Sequence, residues 1–110
     1  LLHSFGWAWR MHEFHHADRD YDASTAARFH PLEMLFLKSV QLGLVLLTGP
    51  SAAAVIAAEL VALGASFFTH ANGRLPEAVA RVLRPILITP DVHRIHHSRR
   101  REDQSRNFGQ

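Results

Sequence analysis

Two long apolar segments in the middle of the chain constrain its fold more than any other feature. The first is "PLEMLFLKSVQLGLVLL" at 31–47 and the second is "AAAVIAAELVALGASFF" at 52–68, with "TGPS" at 48–51 between them. Gly and Pro interrupt helices, and so short a linker brings its two neighbours side by side in antiparallel directions. The pattern therefore predicts a helical hairpin.

Such a hairpin belongs either in the core of a soluble helical bundle or in a lipid bilayer. Each segment is shorter than the roughly 20 apolar residues of a usual spanning helix, which favours the bundle. A surface helix needs a polar face, however, and the second segment offers only Glu59 and Ser66. We therefore favour a membrane hairpin, in which Glu59 faces protein or water because a carboxylate in lipid is costly.

A hairpin that crosses the bilayer twice returns the chain to the side that it left. The residues before Pro31 and those after His70 then lie on one side of the membrane. Arginines concentrate after position 93, and the positive-inside rule assigns their side to the cytoplasm: Arg94, Arg99, Arg100, Arg101 and Arg106. The sequence predicts an all-α integral membrane protein with a helical cap on the cytoplasmic face.

Further helices are expected on both sides of the hairpin. Good helix formers at 3–17 predict a helix that ends before the polar loop at 18–25. An amphipathic helix, broken or kinked at Pro85, is predicted because apolar residues recur at spacings of three and four: Val79, Val82, Leu83 and Ile86. This helix lies on the membrane surface or packs into the core. Thr89 as N-cap and Pro90 at the first position then start another helix.

Two His-x-x-His-His motifs lie at opposite ends of a chain that has nine histidines and no cysteine. They are "HEFHH" at 12–16 and "HRIHH" at 93–97. Residues three and four apart share one face of a helix, so each motif projects three imidazoles together. Neutral imidazole binds Fe, Zn, Cu and Ni. A zinc site uses three or four protein ligands, and this number of histidines fits two metal ions better than one.

Histidines also have roles other than metal binding. A single histidine near an apolar face is usually hydrogen-bonded filler, and for His30 this alternative is as good as a ligand role. A mixed His and Arg patch could bind nucleic acid or acidic lipid. The interleaved Met11, Phe14 and Ile95 indicate buried faces instead, and only "SRRR" supports such a patch, so no nucleic-acid partner is expected.

Several blocks of the sequence together resemble the fatty acid hydroxylase superfamily, also called the sterol desaturase family. They are "LLHSFGWAWRMHEFHHAD", "RFHPLE", "FTHANG", "ITPDVHRIHHS" and "NFG", in that order. The resemblance implies a membrane oxygenase in which a histidine-rich cytoplasmic cap holds two irons that activate O2 to hydroxylate or desaturate a lipid C–H bond. Carried over by position, the metal ligands would be His3, His12, His15, His16, His70, His93, His96 and His97, with His30 as an additional ligand or support.

The match to the family is incomplete at both ends. The first motif of the family pairs two histidines, and His3 resembles only the second of them. We therefore expect residues 1–110 to be one incomplete domain, with a further histidine and membrane helices upstream and a C-terminal block downstream.

The resemblance also implies partners and supporting residues. Glu13, Asp18, Asn72 and Asp91 are close enough in sequence to the histidines to orient ligating imidazoles through their second nitrogens. Electrons would come from a ferredoxin, a cytochrome b5-like protein or a reductase, and the bilayer would deliver the lipid substrate. The sequence does not name that lipid, and zinc could replace iron in the site.

Two other functional classes stay open on the sequence. "HEFHH" also fits the His-Glu-x-x-His pattern of zinc hydrolases, with Glu13 as general base, but such an enzyme does not need His93, His96 and His97. A membrane module that stores or senses metal without catalysis is the second alternative.

Overall fold

The computed structural model describes residues 2–18, 20–98 and 100–104, and all the regular structure in these ranges is helical. The helices are α1 (Gly6–His16), α2 (Pro31–Thr48), α3 (Ala52–Thr69), α4 (Glu77–Leu83), α5 (Pro90–His96) and α6 (Arg101–Gln104), with a 3₁₀ helix at Ala23–Ala27. Some positions named above lie outside this description: Leu1, Arg99, Arg106, the block at 107–109 and the side chain of Arg101.

The helical hairpin is confirmed, with boundaries within one residue of those expected. Pro31 occupies the first turn of α2, and Ser51 caps α3 by accepting a hydrogen bond from the Ala54 amide at 3.2 Å. Gly49 ends α2 with a φ of 62°, in the left-handed region that glycine adopts without steric cost. The turn residues therefore set the hairpin by their local backbone preferences.

Both hairpin helices are long and apolar enough to cross a membrane, and only 6% of each is buried. A core helix of a soluble bundle would be mostly buried, whereas here Leu46, Leu47 and Val61 are 76%, 84% and 73% exposed. Eighteen residues extend about 27 Å, close to the thickness of the hydrocarbon core of a bilayer. The bundle alternative therefore does not fit the structure.

The polar residues of the hairpin face one another. Lys38 donates to both carboxylate oxygens of Glu59 at 2.8 and 2.9 Å and to Gln41 at 2.8 Å, and Gln41 also donates to Glu59. Glu59 thus faces protein, as expected. Pairing the two charges across the legs reduces the cost of placing either of them at membrane depth.

The first helix begins later than the sequence suggested. We expected a helix over 3–17, but α1 starts at Gly6 and residues 2–4 form a turn. On a continuous helix His3 would stand about 13 Å along the axis from His12. The turn instead folds His3 back, so that its ring centroid lies 4.7 Å from that of His12.

The segments after the hairpin form helices in the order that the sequence predicted. Helix α4 ends at Leu83, before Pro85, and Val79, Val82 and Ile86 stay exposed, which agrees with the membrane-surface alternative. Thr89 does occupy the N-cap position of α5, but its side chain makes no capping hydrogen bond. The predicted start of this helix is confirmed, with Pro90 at its first position.

The interior of the described chain is mostly polar. Helix α1 packs on α2, while α3 contacts the 3₁₀ helix and α5. Ala8, Ala26, Ala80 and Pro90 are the buried apolar residues in this part of the chain. The buried polar residues outnumber them: His12, His15, Thr25, Glu33, Thr69, His70, Thr89, His93 and His96. Buried polar groups are costly unless they have partners, so the histidines need a ligand or hydrogen bonds.

Candidate metal centre

Eight histidines converge into two groups of four. The first group consists of His3, His12, His16 and His96, and the second of His15, His70, His93 and His97. Within each group, one nitrogen of every imidazole lies within 4.8 Å of the corresponding nitrogens of the others. These are the eight histidines that the sequence singled out as ligands.

The two motifs do not each form a group of their own. Helix α1 gives His12 and His16, which are four residues apart, to the first group and His15 to the second. Helix α5 reverses this pattern, since His93 and His97 enter the second group and His96 the first. The two motifs are therefore interleaved, and both groups need both helices.

Each group is completed by a histidine from outside the motifs. The ring of His3, in the turn before α1, lies 4.7 Å from that of His96 and 5.1 Å from that of His16. His70 caps the C-terminal end of α3. Its Nε2 lies 3.1 Å from Nε2 of His15 and 3.2 Å from Nε2 of His93. The end of a membrane helix thus reaches directly into the second group.

Hydrogen bonds on the outer nitrogens orient three of these rings. The Nδ1 of His15 donates to the Arg28 carbonyl at 3.1 Å, and that of His70 donates to the Ser66 carbonyl at 2.7 Å. The Nδ1 of His12 lies 2.8 Å from Oε1 of Glu33, whose side chain is fully buried. Such contacts select the tautomer whose Nε2 lone pair points inward.

The contact between His15 and His70 tests whether a metal fits. A carbonyl only accepts, so both Nδ1 atoms carry hydrogen and both neutral rings present bare lone pairs at Nε2. Two lone pairs 3.1 Å apart repel each other unless a cation lies between them. Imidazole nitrogens about 2.1 Å from one ion lie about 3 Å apart when they bind it at right angles, which matches this spacing. The residues present therefore fit a bound metal ion.

Protonation is disfavoured for five of the histidines in the two groups. Burial lowers the pKa of His3 to about 4, of His15 to about 3 and of His16 to about 2, and neighbouring imidazoles lower each pKa further. Burial lowers the pKa of His70 and His97 as well. These rings are neutral at pH 7, which is the form that binds a metal.

Unpartnered nitrogens support the same interpretation. Both nitrogens of His16 and Nε2 of His97 are buried without a hydrogen-bond partner among the described residues. The two rings stack with centroids 4.4 Å apart and planes at 18°. Because each ring belongs to a different group, this stack is one of the places where the two groups adjoin.

The four residues expected to orient imidazoles make other contacts. Asp18 binds Thr25 at 2.6 Å and Arg28 at 2.7 Å, Asp91 accepts from Arg84 at 3.0 Å, and Asn72 accepts from Arg94. Glu13 is exposed. These side chains are near the histidines in sequence, but on the folded chain the hydrogen bonds of Asp18, Asn72 and Asp91 go to Thr25 and to arginines. As direct supports of the rings they do not fit the structure.

His30 lies outside both groups. Its Nδ1 accepts a hydrogen bond from the Leu32 amide at 3.2 Å and so caps α2. The structure gives it the supporting role, because a cap on α2 fixes the first turn that carries Glu33.

Two residues of the site were not found from the sequence. Glu33 contacts His12, and the only signal was an acidic residue in the first turn of an apolar helix. Tyr21 donates a hydrogen bond to the Thr69 carbonyl at 2.8 Å, and its ring lies 5.0 Å from that of His97. A lone aromatic residue in a polar loop gave no signal of that contact.

A surface cavity of about 580 Å³ reaches both groups. His16 and His97 lie in its wall, together with Glu13, Tyr21 and Arg94. One ring of each group is therefore accessible from outside the cap, on a side lined by charged residues.

A family model described as fatty acid hydroxylase matches residues 1–110. No solved structure matches the chain.

Proposed function

The chain belongs to the fatty acid hydroxylase family, and from this premise we propose that it uses two iron ions and O2 to hydroxylate or desaturate a membrane lipid. The family and the two spanning helices make it a membrane protein and an oxidoreductase of the lipid hydroxylase type. The two irons, the eight ligands and the choice of lipid are our proposal.

The interleaving of the two histidine groups is the observation that carries this proposal. Two positions that share both ligand helices are held at a constant separation, as is needed when both ions act on one O2 molecule. Four imidazoles also fill the coordination of a tetrahedral zinc ion and leave no open position for catalysis. A six-coordinate metal such as iron would keep open positions, which favours an oxygenase over a zinc hydrolase.

When bound, the metal pair would supply the electrons that activate O2 and the oxidant for the C–H bond. Hydroxylation consumes one O2, two electrons and two protons, with one oxygen atom entering the lipid and the other leaving as water. Desaturation consumes the same reactants but releases both oxygen atoms as water. Because a turnover needs two electrons from outside, we propose a ferredoxin, a cytochrome b5-like protein or a reductase as donor.

The protein side chains would hold the ions and keep protons away from the ligands. Neutral imidazoles remain available as ligands because burial keeps their pKa values low. The donor would dock over the cavity that reaches His16 and His97. The lipid would arrive from the opposite side, where α3 ends at His70 and α2 begins beside Glu33.

Metal analysis and oxygen-isotope labelling test this function. We expect the protein, expressed in membranes, to hold two irons per chain and to transfer an atom of labelled O2 into lipid if it is a hydroxylase. Replacing His15 or His96 with Ala should abolish oxidation by a hydroxylase or a desaturase. His30→Asn is the matched control, since Asn also caps helices and keeps the first turn of α2 in place, so both ions should remain bound. Stoichiometric zinc without O2 consumption would contradict the proposal.

We also propose that the histidine groups face the cytoplasm. The chain has no cysteine, so single cysteines report position cleanly. Cysteines at Ser24 and Glu102 should react with a probe added from the cytoplasm, whereas one at Ser51 should react from the other side. Labelling of all three positions from one side would contradict a spanning hairpin.

A further inference from the structure

The outer contact of His12 in the first group differs in charge from those of His15 and His70 in the second. In the first group, the Nδ1 of His12 meets a carboxylate, that of Glu33. In the second group, the Nδ1 atoms of His15 and His70 meet the neutral carbonyls of Arg28 and Ser66. Because a carboxylate on the outer nitrogen makes an imidazole a more basic ligand than a carbonyl does, Glu33 can tune one group separately.

The position of Glu33 is unusual for an acidic residue. It is fully buried, and it is the buried residue of a helix that is otherwise exposed and apolar. An acidic side chain in a first turn also interacts well with the helix dipole, but this effect is weak, is available at an exposed site and does not require burial. Burial of a carboxylate costs more than that unless it has a charged or hydrogen-bonded partner.

The contacts of Glu33 indicate what that partner is. Its Oε1 lies 2.8 Å from Nδ1 of His12, and its Oε2 is buried without a hydrogen-bond partner among the described residues. Four neutral imidazoles leave both charges of a divalent ion uncompensated in a buried site. The Glu33 carboxylate is one ring away from that ion and offsets part of its charge.

We propose that Glu33 is a positioning residue that acts through His12 to strengthen metal binding by the first group alone. This inference rests on the proposed function, because it takes the histidine groups to be metal sites. It also gives α2 a second role, since the turn that enters the membrane carries the carboxylate that supports an ion.

Cobalt(II) binding, measured by visible absorption in competition with a chelator, tests the inference without any assay of activity. In a His70→Ala background the first group keeps its four ligands, and there Glu33→Gln should lower cobalt affinity 10- to 100-fold. In a His3→Ala background the second group is the complete one, and Glu33→Gln should change affinity less than about threefold. Gln can still accept a hydrogen bond from Nδ1, so the loss reports the charge.

Glu13→Gln is the matched control. It removes the same charge from the residue next to His12, but Glu13 is exposed, so cobalt affinity should stay within about twofold. If Glu33→Gln fails to fold, Glu33→Asp keeps the charge at a greater distance and should lower affinity in the His70→Ala background only.

Each outcome supports or overturns the inference. Equal losses of affinity in the two backgrounds would indicate a general structural role and overturn it, as would no loss in the His70→Ala background. Both results would leave the oxygenase proposal standing. A wild-type protein that binds no metal would remove both.

Discussion

The hairpin and the histidine cap each depart from the usual arrangement of a soluble protein, in which apolar side chains are buried and polar side chains are exposed. The hairpin exposes its apolar side chains, and Leu47 is 84% exposed. The cap buries its polar ones, and His15, His70, His93 and His96 are each at most 4% exposed. Neither arrangement is stable in water alone, because apolar surface should be covered and buried imidazoles should be paired.

The difference shows that the two regions depend on different partners. Lipid covers the hairpin without specific contacts, since helices satisfy their own backbone hydrogen bonds. The cap has few buried apolar residues, so in the function proposed above a bound ion would supply much of its cohesion. Removing one partner should therefore affect one region and spare the other.

Removal of metal should have the largest effect on the difference between the cap and the hairpin. Chelation leaves facing lone pairs such as those of His15 and His70, so we expect the amides of α5 to exchange hydrogen at least about tenfold faster. The amides of α2 and α3 should change less than about twofold. Hydrogen–deuterium exchange in nanodiscs measures both, and added metal should restore protection. Equal loss of protection in α5 and in the hairpin helices would show that the two regions do not depend on different partners.

Paired substitutions should have the next largest effect and sharpen the description of the cap. His12→Ala with His96→Ala removes two ligands of one group, and about one ion per chain should remain. His12→Ala with His15→Ala removes neighbours on α1 that serve different groups, and almost no metal should remain. Metal content by mass spectrometry distinguishes these outcomes. If the His12→Ala, His15→Ala pair instead kept about one ion and the His12→Ala, His96→Ala pair kept almost none, each motif would form its own site.

Breaking the ion pair of the hairpin should have the smallest effect. Lys38→Met leaves Glu59 without its cation at membrane depth, and we expect a cost of about 2–3 kcal/mol in helix insertion or unfolding free energy. A second substitution, Glu59→Met, should recover most of that loss. Unfolding in bicelles measures the stability, while metal content should stay unchanged. Loss of metal in the single variant would show that hairpin and cap are coupled.

Much of the fold could be predicted because its signals are local. Pro31, Gly49 and Ser51 mark helix ends through their own backbone preferences, and the apolar segments require a nonpolar environment. The eight clustered histidines were also found from spacing and resemblance. The residues that orient the rings were not, because Glu13 and Asp18 are neighbours in sequence whereas Glu33 reaches His12 across 21 positions.

The sequence by itself determined which residues would cluster, since helical periodicity places His12, His15 and His16 toward one side of α1 whatever surrounds them. Only the tertiary structure decided how the histidines divide into groups, because that depends on the angle at which α1 and α5 face each other. The same packing folds His3 back over α1 and brings Glu33 beneath His12. Periodicity acts within one helix, whereas a metal position is defined by lone pairs that converge from several.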